Sequence, residues 1–131
     1  MQIKFKLGEF FCGPGGLGYG ASLAKVSNKK TNKEYLVEHA WASDYDKDSC
    51  DTYKLNVKPK NIYCMPVEEF FPKIDQGVIK LEKFNAFAYG FPCNDFSNVG
   101  EQKGLKGKYG PLYSYGVEIM NRYKPDWFIA E

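Results

Sequence analysis

The sequence is poor in several features that would settle its class at once. Arg122 is the only arginine among 18 basic residues, and His39 is the only histidine. The four cysteines, Cys12, Cys50, Cys64 and Cys93, include no C-x-x-C pair. Scattered thiols and one imidazole cannot assemble the usual tetrahedral Cys/His sets, so no metal site is expected. No apolar run approaches the roughly 20 residues of a membrane span, so no membrane contact is expected either. The segment Met1 to Gly8 carries Lys4 and Lys6 but no apolar run behind a basic start. No secretion signal is read there, and the chain is expected to be cytoplasmic with reduced thiols. There is no internal repeat and no low-complexity tract. The net charge is +2, too small to argue for nucleic acid by bulk electrostatics.

What is present is an ordinary globular balance: 131 residues, 44% hydrophobic and 26% charged, the size of one domain. Strand and helix signals alternate along it. Ile3 to Cys12 reads as a strand ending at Gly13, and the small-residue-rich stretch Gly16 to Ser27 as a helix. Glu34 to Ser43 reads as a second strand. Asp46 to Asn56 reads as a short helix, with Asp46 placed to cap it and Asp48 adding acid to its first turn. Asn61 to Met65 is a short strand, and Pro66 to Lys83 a helix with an irregular join. Phe84 to Phe91 is an apolar, aromatic strand. Asn94 to Gly110, with Gly100, Gly104 and Gly107 inside it, reads as a loop. Pro111 to Tyr123 restores a helical period, and Trp127 to Ala130 is a last strand. Strands alternating with helices imply βαβ units and an α/β, Rossmann-like, mostly parallel sheet with flanking helices. In such sheets ligands sit beyond the carboxyl ends of the strands, which directs attention to Gly13, Asp44 and Cys93.

The turn Gly13-Pro14-Gly15-Gly16-Leu17-Gly18 follows the first strand, opens a helix and satisfies G-x-G-x-x-G. Its physics is the close approach of backbone to a ligand at a helix N-terminus. Asp44 ends the next strand, where a carboxylate can accept hydrogen bonds from both hydroxyls of a ribose; Tyr45 after it can stack on a purine. These residues alone point to a nucleoside-containing cofactor and leave NAD, FAD and S-adenosyl-L-methionine open. A glycine-rich turn that merely packs helix on strand is the plain alternative. At the end of the fourth strand, Pro92 fixes its own φ and restrains Phe91. That would hold Cys93 in a set place, where a sheet of this kind carries a nucleophile. Cys12, Cys50 and Cys64 read instead as small buried hydrophobes.

These segments resemble the DNA (cytosine-5) methyltransferases. Phe11-Cys12-Gly13-Pro14-Gly15-Gly16 is similar to the family's first motif, F-x-G-x-G-G. Ala42-Ser43-Asp44-Tyr45-Asp46, with Tyr53 and Asn56 downstream, resembles the second. Gly90-Phe91-Pro92-Cys93-Asn94-Asp95-Phe96-Ser97 resembles the fourth, usually G-F-P-C-Q-x-F-S. Gly110-Pro111-Leu112 resembles the fifth, and the run from Lys124-Pro125 to Glu131 the sixth. The order of these motifs is far more specific than any one of them. Two departures stand out: Asn94 replaces the common Gln, and no acid stands around Tyr63-Cys64-Met65, where the third motif normally has one for the adenine amino group.

The resemblance implies the fold of an S-adenosylmethionine-dependent methyltransferase, incomplete here. Residues 1–131 would be the N-terminal cofactor-binding and catalytic part, without the Q-x-R-x-R motif and the target-recognition domain. It implies S-adenosyl-L-methionine as cofactor, DNA with a flipped cytosine as partner, a second polypeptide as a potential carrier of the remaining motifs, and a place in restriction–modification. It makes Cys93 the nucleophile at carbon 6 of cytosine and Glu131 the group at ring nitrogen 3. Phe11, Gly13, Pro14, Gly15, Gly16, Asp44, Tyr45, Pro92 and Leu112 would bind the cofactor; Ser97, Lys103, Lys106 and Lys108 would reach DNA phosphates. Three other readings stand beside this one. A transfer-RNA cytosine methyltransferase would share the active site. A truncated or split, non-catalytic fragment would need a second chain. An NAD dehydrogenase would share the glycine turn but give Pro92-Cys93 no role.

Overall fold

The computed structural model describes residues 1–92 and 112–131. Its elements are β1 (Gln2–Phe10), α1 (Gly16–Leu23), β2 (Lys25–Asn28), β3 (Lys33–Asp44), α2 (Lys47–Asn56), β4 (Asn61–Cys64), a 3₁₀ turn (Val67–Glu69), α3 (Phe70–Asp75), β5 (Ala86–Tyr89), α4 (Tyr113–Tyr123) and β6 (Trp127–Ala130). The sheet runs β2-β3-β1-β5-β6, with β4 also on β3. Every pairing is parallel except β2 with β3. At 12 residues β3 is long enough to serve two neighbours on one edge. Lys33 to Leu36 pair with β2, and Trp41 to Asp44 pair with β4.

The helices cover both faces, as a parallel sheet requires. On one face Phe10, Trp41, Phe87 and Tyr89 meet Phe70 and Phe71 of α3 and Ile119 of α4. Phe10 is fully buried, with ring centroids at 4.7 Å to Phe70, 5.4 Å to Trp41 and 5.6 Å to Phe87. Those crossings are edge-to-face, the arrangement aromatic quadrupoles favour. On the other face Leu7, Ala86 and Ala88 pack with Leu17 and Ala21 of α1, and Cys12 and Ala42 with Tyr53 of α2. Small residues in β5 let α1 approach on one side while large aromatics fill the other.

Two expectations change. The helix read over Gly16 to Ser27 stops at Leu23, and Lys25–Asn28 is the antiparallel strand β2. Its four residues are all exposed, so no apolar alternation marks it as a strand. It forms because β3 offers a free edge there. The stretch Pro66 to Lys83 resolves into the 3₁₀ turn and α3. The loop read over Asn94 to Gly110, with Pro111 after it, lies outside the described residues.

A register shift between Leu7 and Gly8 leaves Ala40 of β3 without a partner on β1: Leu7 pairs His39 and Gly8 pairs Trp41. His39 therefore lies over Leu7, while Trp41 turns into the aromatic core. Gly8 has no Cβ, and the space that atom would occupy holds the Trp41 indole.

Candidate functional site

The turn after β1 is built by backbone conformations that side chains resist. Gly13 has φ 55° and Gly15 φ 109°; the latter lies beyond what an L residue readily adopts. Gly15 opens α1, its carbonyl accepting the Tyr19 amide at 2.7 Å. A Cβ on Gly18 would stand 2.6 Å from the Tyr53 hydroxyl, so glycine here is what allows α1 to lie on Tyr53. Phe11 is also left-handed, with φ 54°. For a bulky side chain that conformation costs about 1–2 kcal/mol, and it turns the ring from the strand's path to a cavity wall.

Two hydrogen bonds tie this turn to the end of β3. The Cys12 amide donates to the Ser43 carbonyl at 3.1 Å, and the Gly13 amide donates to Asp44 Oδ2 at 2.9 Å. Asp44 Oδ1 accepts the Asp46 amide at 2.9 Å. Asp46 in turn caps α2, accepting the Ser49 amide at 2.9 Å, as its sequence position implies. That capping holds the Asp46 carboxyl below its ordinary range. Asp44 thus joins two loops at the carboxyl edge of the sheet.

Between them lies a cavity of about 290 Å³. Phe11, Asp44, Tyr45, Pro92 and Leu112, all chosen from sequence, line it. They come from four separate segments. Tyr45 is 74% exposed, free to cover a ligand. Gly13, Pro14, Gly15 and Gly16 form the adjoining turn and are not among the lining residues. Glu131 does not line the cavity; its amide donates to the Tyr89 carbonyl at 3.0 Å, which sets it beside the end of β5. Cys93, Ser97, Lys103, Lys106 and Lys108 lie outside the described residues, as does Asn94. Pro92, the residue before Cys93, is on the cavity wall.

Sequence reasoning missed two carboxylates. Glu68, on the 3₁₀ turn, lines the cavity together with Met65 and Pro66. Glu9 sits inside β1, 3% exposed, where its Oε1 accepts the Tyr53 hydroxyl at 2.8 Å. Burial pushes the Glu9 carboxyl up to about 7, the Tyr53 hydroxyl opposes this, and the Asp44 charge adds to it. A signal existed: Glu9 stands in the run Leu7 to Phe10, the end of β1 beyond its lysines, where a central strand of a parallel sheet is covered on both faces.

The thiols divide differently from the expectation. Cys12 and Cys50 are buried, but Cys64 is exposed at the end of β4. Among the described residues β4 pairs only with β3, and the Cys64 Sγ lies 3.9 Å from the Tyr45 carbonyl, to which it donates. Burial first, then the neighbouring Cys64, pushes the Cys50 thiol up to about 12; burial and the Glu9 and Asp44 charges push Cys12 up as well. Iodoacetamide at pH 8 should therefore label Cys64 in the native protein at least about 100-fold faster than Cys12 or Cys50. Peptide mapping by mass spectrometry checks this, and equal labelling of Cys50 and Cys64 would contradict the packing described.

No helix among the described residues is long and apolar enough to cross a membrane. Nor does any group of three or more His, Cys, Asp or Glu side chains among them form a metal-binding cluster. A family model described as C-5 cytosine-specific DNA methylase matches residues 5–131. The chain belongs to that family.

Type II methyltransferase M.BbvI of Brevibacillus brevis is 48% identical to this chain, covering 98% of it and 35% of the relative. Type II methyltransferase M.NgoFVII of Neisseria gonorrhoeae is 31% identical, covering 98% and 30%. The chain thus spans about a third of the length of these relatives. The fold is similar to that of a solved protein assigned as a DNA modification methyltransferase from an E. coli prophage. The TM-score is 0.61 at 18% identity, over 96% of this chain and 31% of that one.

Proposed function

We propose that this chain is the cofactor-binding and catalytic part of an enzyme of restriction–modification that transfers a methyl group from S-adenosyl-L-methionine to carbon 5 of cytosine in DNA. The observation that carries the reading is the convergence of Phe11, Asp44, Tyr45, Pro92 and Leu112 on one cavity at the carboxyl edge of a parallel sheet. The residues present fit the cofactor. Apolar Phe11, Leu112 and Pro66 suit a purine, Asp44 suits a ribose, and the carboxylates of Asp44 and Glu68 suit a ligand bearing positive charge. When bound, the cofactor supplies a methyl group made electrophilic by its sulfonium.

The chain's own groups prepare the other reactant. A cytosine turned out of the duplex exposes carbon 6. The Cys93 thiolate adds there, forming a C–S bond and moving the ring's electron pair toward carbon 5. Glu131 holds ring nitrogen 3 and favours its protonated form, which stabilises the charge created by addition. After methylation, loss of the carbon-5 proton re-forms the double bond and expels Cys93. Ser97, Lys103 and Lys106 are assigned to the DNA backbone. Reading of the target sequence is assigned to chain beyond these residues or to a second polypeptide.

The test is methyl transfer from labelled S-adenosyl-L-methionine by the polypeptide that carries this chain, with nucleosides of duplex DNA resolved by mass spectrometry. Label in 5-methylcytosine is expected. Label in a methylated exocyclic amine, or in transfer RNA in preference to DNA, would overturn the assignment.

A further inference from the structure

We propose that Tyr53, oriented by Glu9, is the positioning residue of the glycine turn: its phenol sets where the turn stands beside the cavity, and so how tightly the cofactor is held. This rests on the reading of that cavity as the S-adenosyl-L-methionine site. It gives a role to two buried groups that the proposed reaction leaves unused.

Tyr53 lies where α2 meets the turn. Cys50, Tyr53 and Val57 follow one another at helical spacing and are all buried. Tyr53 and Val57 pack with Cys12 and Ala42. A Cβ added to Gly15 would stand 3.0 Å from Val57 and 3.1 Å from the Tyr53 ring, and one added to Gly18 would stand 2.6 Å from the Tyr53 hydroxyl. The phenol therefore touches the backbone at the cap of α1 and again in its first turn. No side chain stands between ring and backbone at either point, so a shift of the ring is passed directly to the turn.

One hydrogen bond fixes that ring. The Tyr53 hydroxyl donates to Glu9 Oε1 at 2.8 Å, across 44 residues of sequence. Glu9 belongs to the central strand, paired with Ala42 of β3 and Ala88 of β5, so the bond ties α2 to the middle of the sheet. The contacts around the turn then close on themselves. The Gly13 amide is held by Asp44, Asp44 holds the Asp46 amide, Asp46 caps α2, and Tyr53 of α2 lies against Gly15 and Gly18. One helix thus relates the carboxylate on the cavity wall to the glycine turn beside it.

An apolar side chain at position 9 would fill the strand without electrostatic cost. The carboxyl there is instead held up to about 7 by its burial. Groups that are locally unfavourable in this way gather where a site must keep one geometry. Packing alone leaves an aromatic ring free to slide along a sheet face. A buried, directional and satisfied hydrogen bond gives it a single height.

Three variants of the polypeptide that carries this chain separate positioning from stability. Glu9→Gln keeps an acceptor for the phenol. Glu9→Met removes it. Glu9→Met combined with Tyr53→Phe replaces both partners by apolar groups of similar shape, a change close to neutral for folding, which thermal melts check. Calorimetry with S-adenosyl-L-homocysteine at pH 6, where Glu9 holds its proton, should show affinity about five- to tenfold weaker in Glu9→Met and in the double variant, the scale of one neutral hydrogen bond. Glu9→Gln should stay within about twofold of the wild type. In methyl transfer to DNA, the KM for S-adenosyl-L-methionine should rise by the same factor, with kcat at saturating cofactor within about twofold. Wild-type affinity in the folded double variant would overturn the role of Tyr53 and leave the cofactor reading standing. So would a loss confined to kcat, or weakened binding in Glu9→Gln, which keeps the bond. Failure of the wild type to bind S-adenosyl-L-homocysteine would overturn both readings.

Discussion

Cys93→Ser should lower methyl transfer at least about 1,000-fold and leave S-adenosyl-L-homocysteine affinity within about twofold. The proposed reaction begins with a nucleophile that must be anionic when it meets carbon 6. A cysteine is a few per cent thiolate at neutral pH and intrinsically very nucleophilic, whereas an alcohol needs a strong base beside it. Serine preserves the size and polarity of the position, so the loss would belong to the chemistry and not to folding. A second readout separates addition from later steps. On DNA carrying 5-fluorocytosine, elimination cannot finish, because fluorine does not leave as a cation. The wild type should then remain bound to DNA through denaturing electrophoresis, and the serine variant should not. Methylation by the variant at a rate near wild type would reject the covalent route.

Glu9→Gln should stabilise the protein at pH 8 by up to about 3 kcal/mol and change it little at pH 4.5. The carboxyl is raised from 4.5 to about 7 in the folded state. A raised carboxyl means that the folded form binds more protons than the unfolded one across that window. The stability it contributes is fully present below its ordinary value and lost as pH rises through about 7. Glutamine keeps an acceptor for the Tyr53 hydroxyl and removes the ionisation. Burial acts oppositely on His39, pulling its imidazole below 6.5, so its contribution is lost as pH falls below that value. Just below pH 6.5 the two slopes oppose each other in the wild type; in Glu9→Gln the glutamate slope is gone and the histidine slope remains. Chemical denaturation of both proteins at a series of pH values measures this. Parallel stability curves for the two would show that Glu9 is not held uncharged.

Much of this architecture was legible because local chemistry and tertiary context agree. The Asp46 cap, the helical period of α4 and the carboxyl-edge position of Asp44 follow from residue type and spacing, and the structure holds all three. The strand β2 was not legible, since Lys25–Asn28 carries no apolar alternation and owes its conformation to the exposed half of β3. Cys64 misled because cysteine is usually buried, whereas here it is the exposed last residue of a strand that pairs, among the described residues, on one side only. Glu68 was hidden because Pro66 to Lys83 carries several acids, and nothing in its sequence marks the 3₁₀ turn that sets this one on the cavity wall. The motifs resembling a known family located the cavity wall; only the coordinates distinguish committed oxygens from free ones.

The single surplus residue in β3 has a further consequence. Alternation along a strand fixes which face each side chain occupies, but Ala40 and Trp41 pack in the same aromatic cluster, so the extra residue is absorbed there and the residues after it keep to the faces of their β1 partners. The half of β3 that pairs with β2 and the half that ends at Asp44 are therefore separated by a bulge that can take up a slip between them. Insertions or deletions near Asn28 to Lys33 can be absorbed below that dislocation, and the geometry around Asp44 is insulated from them.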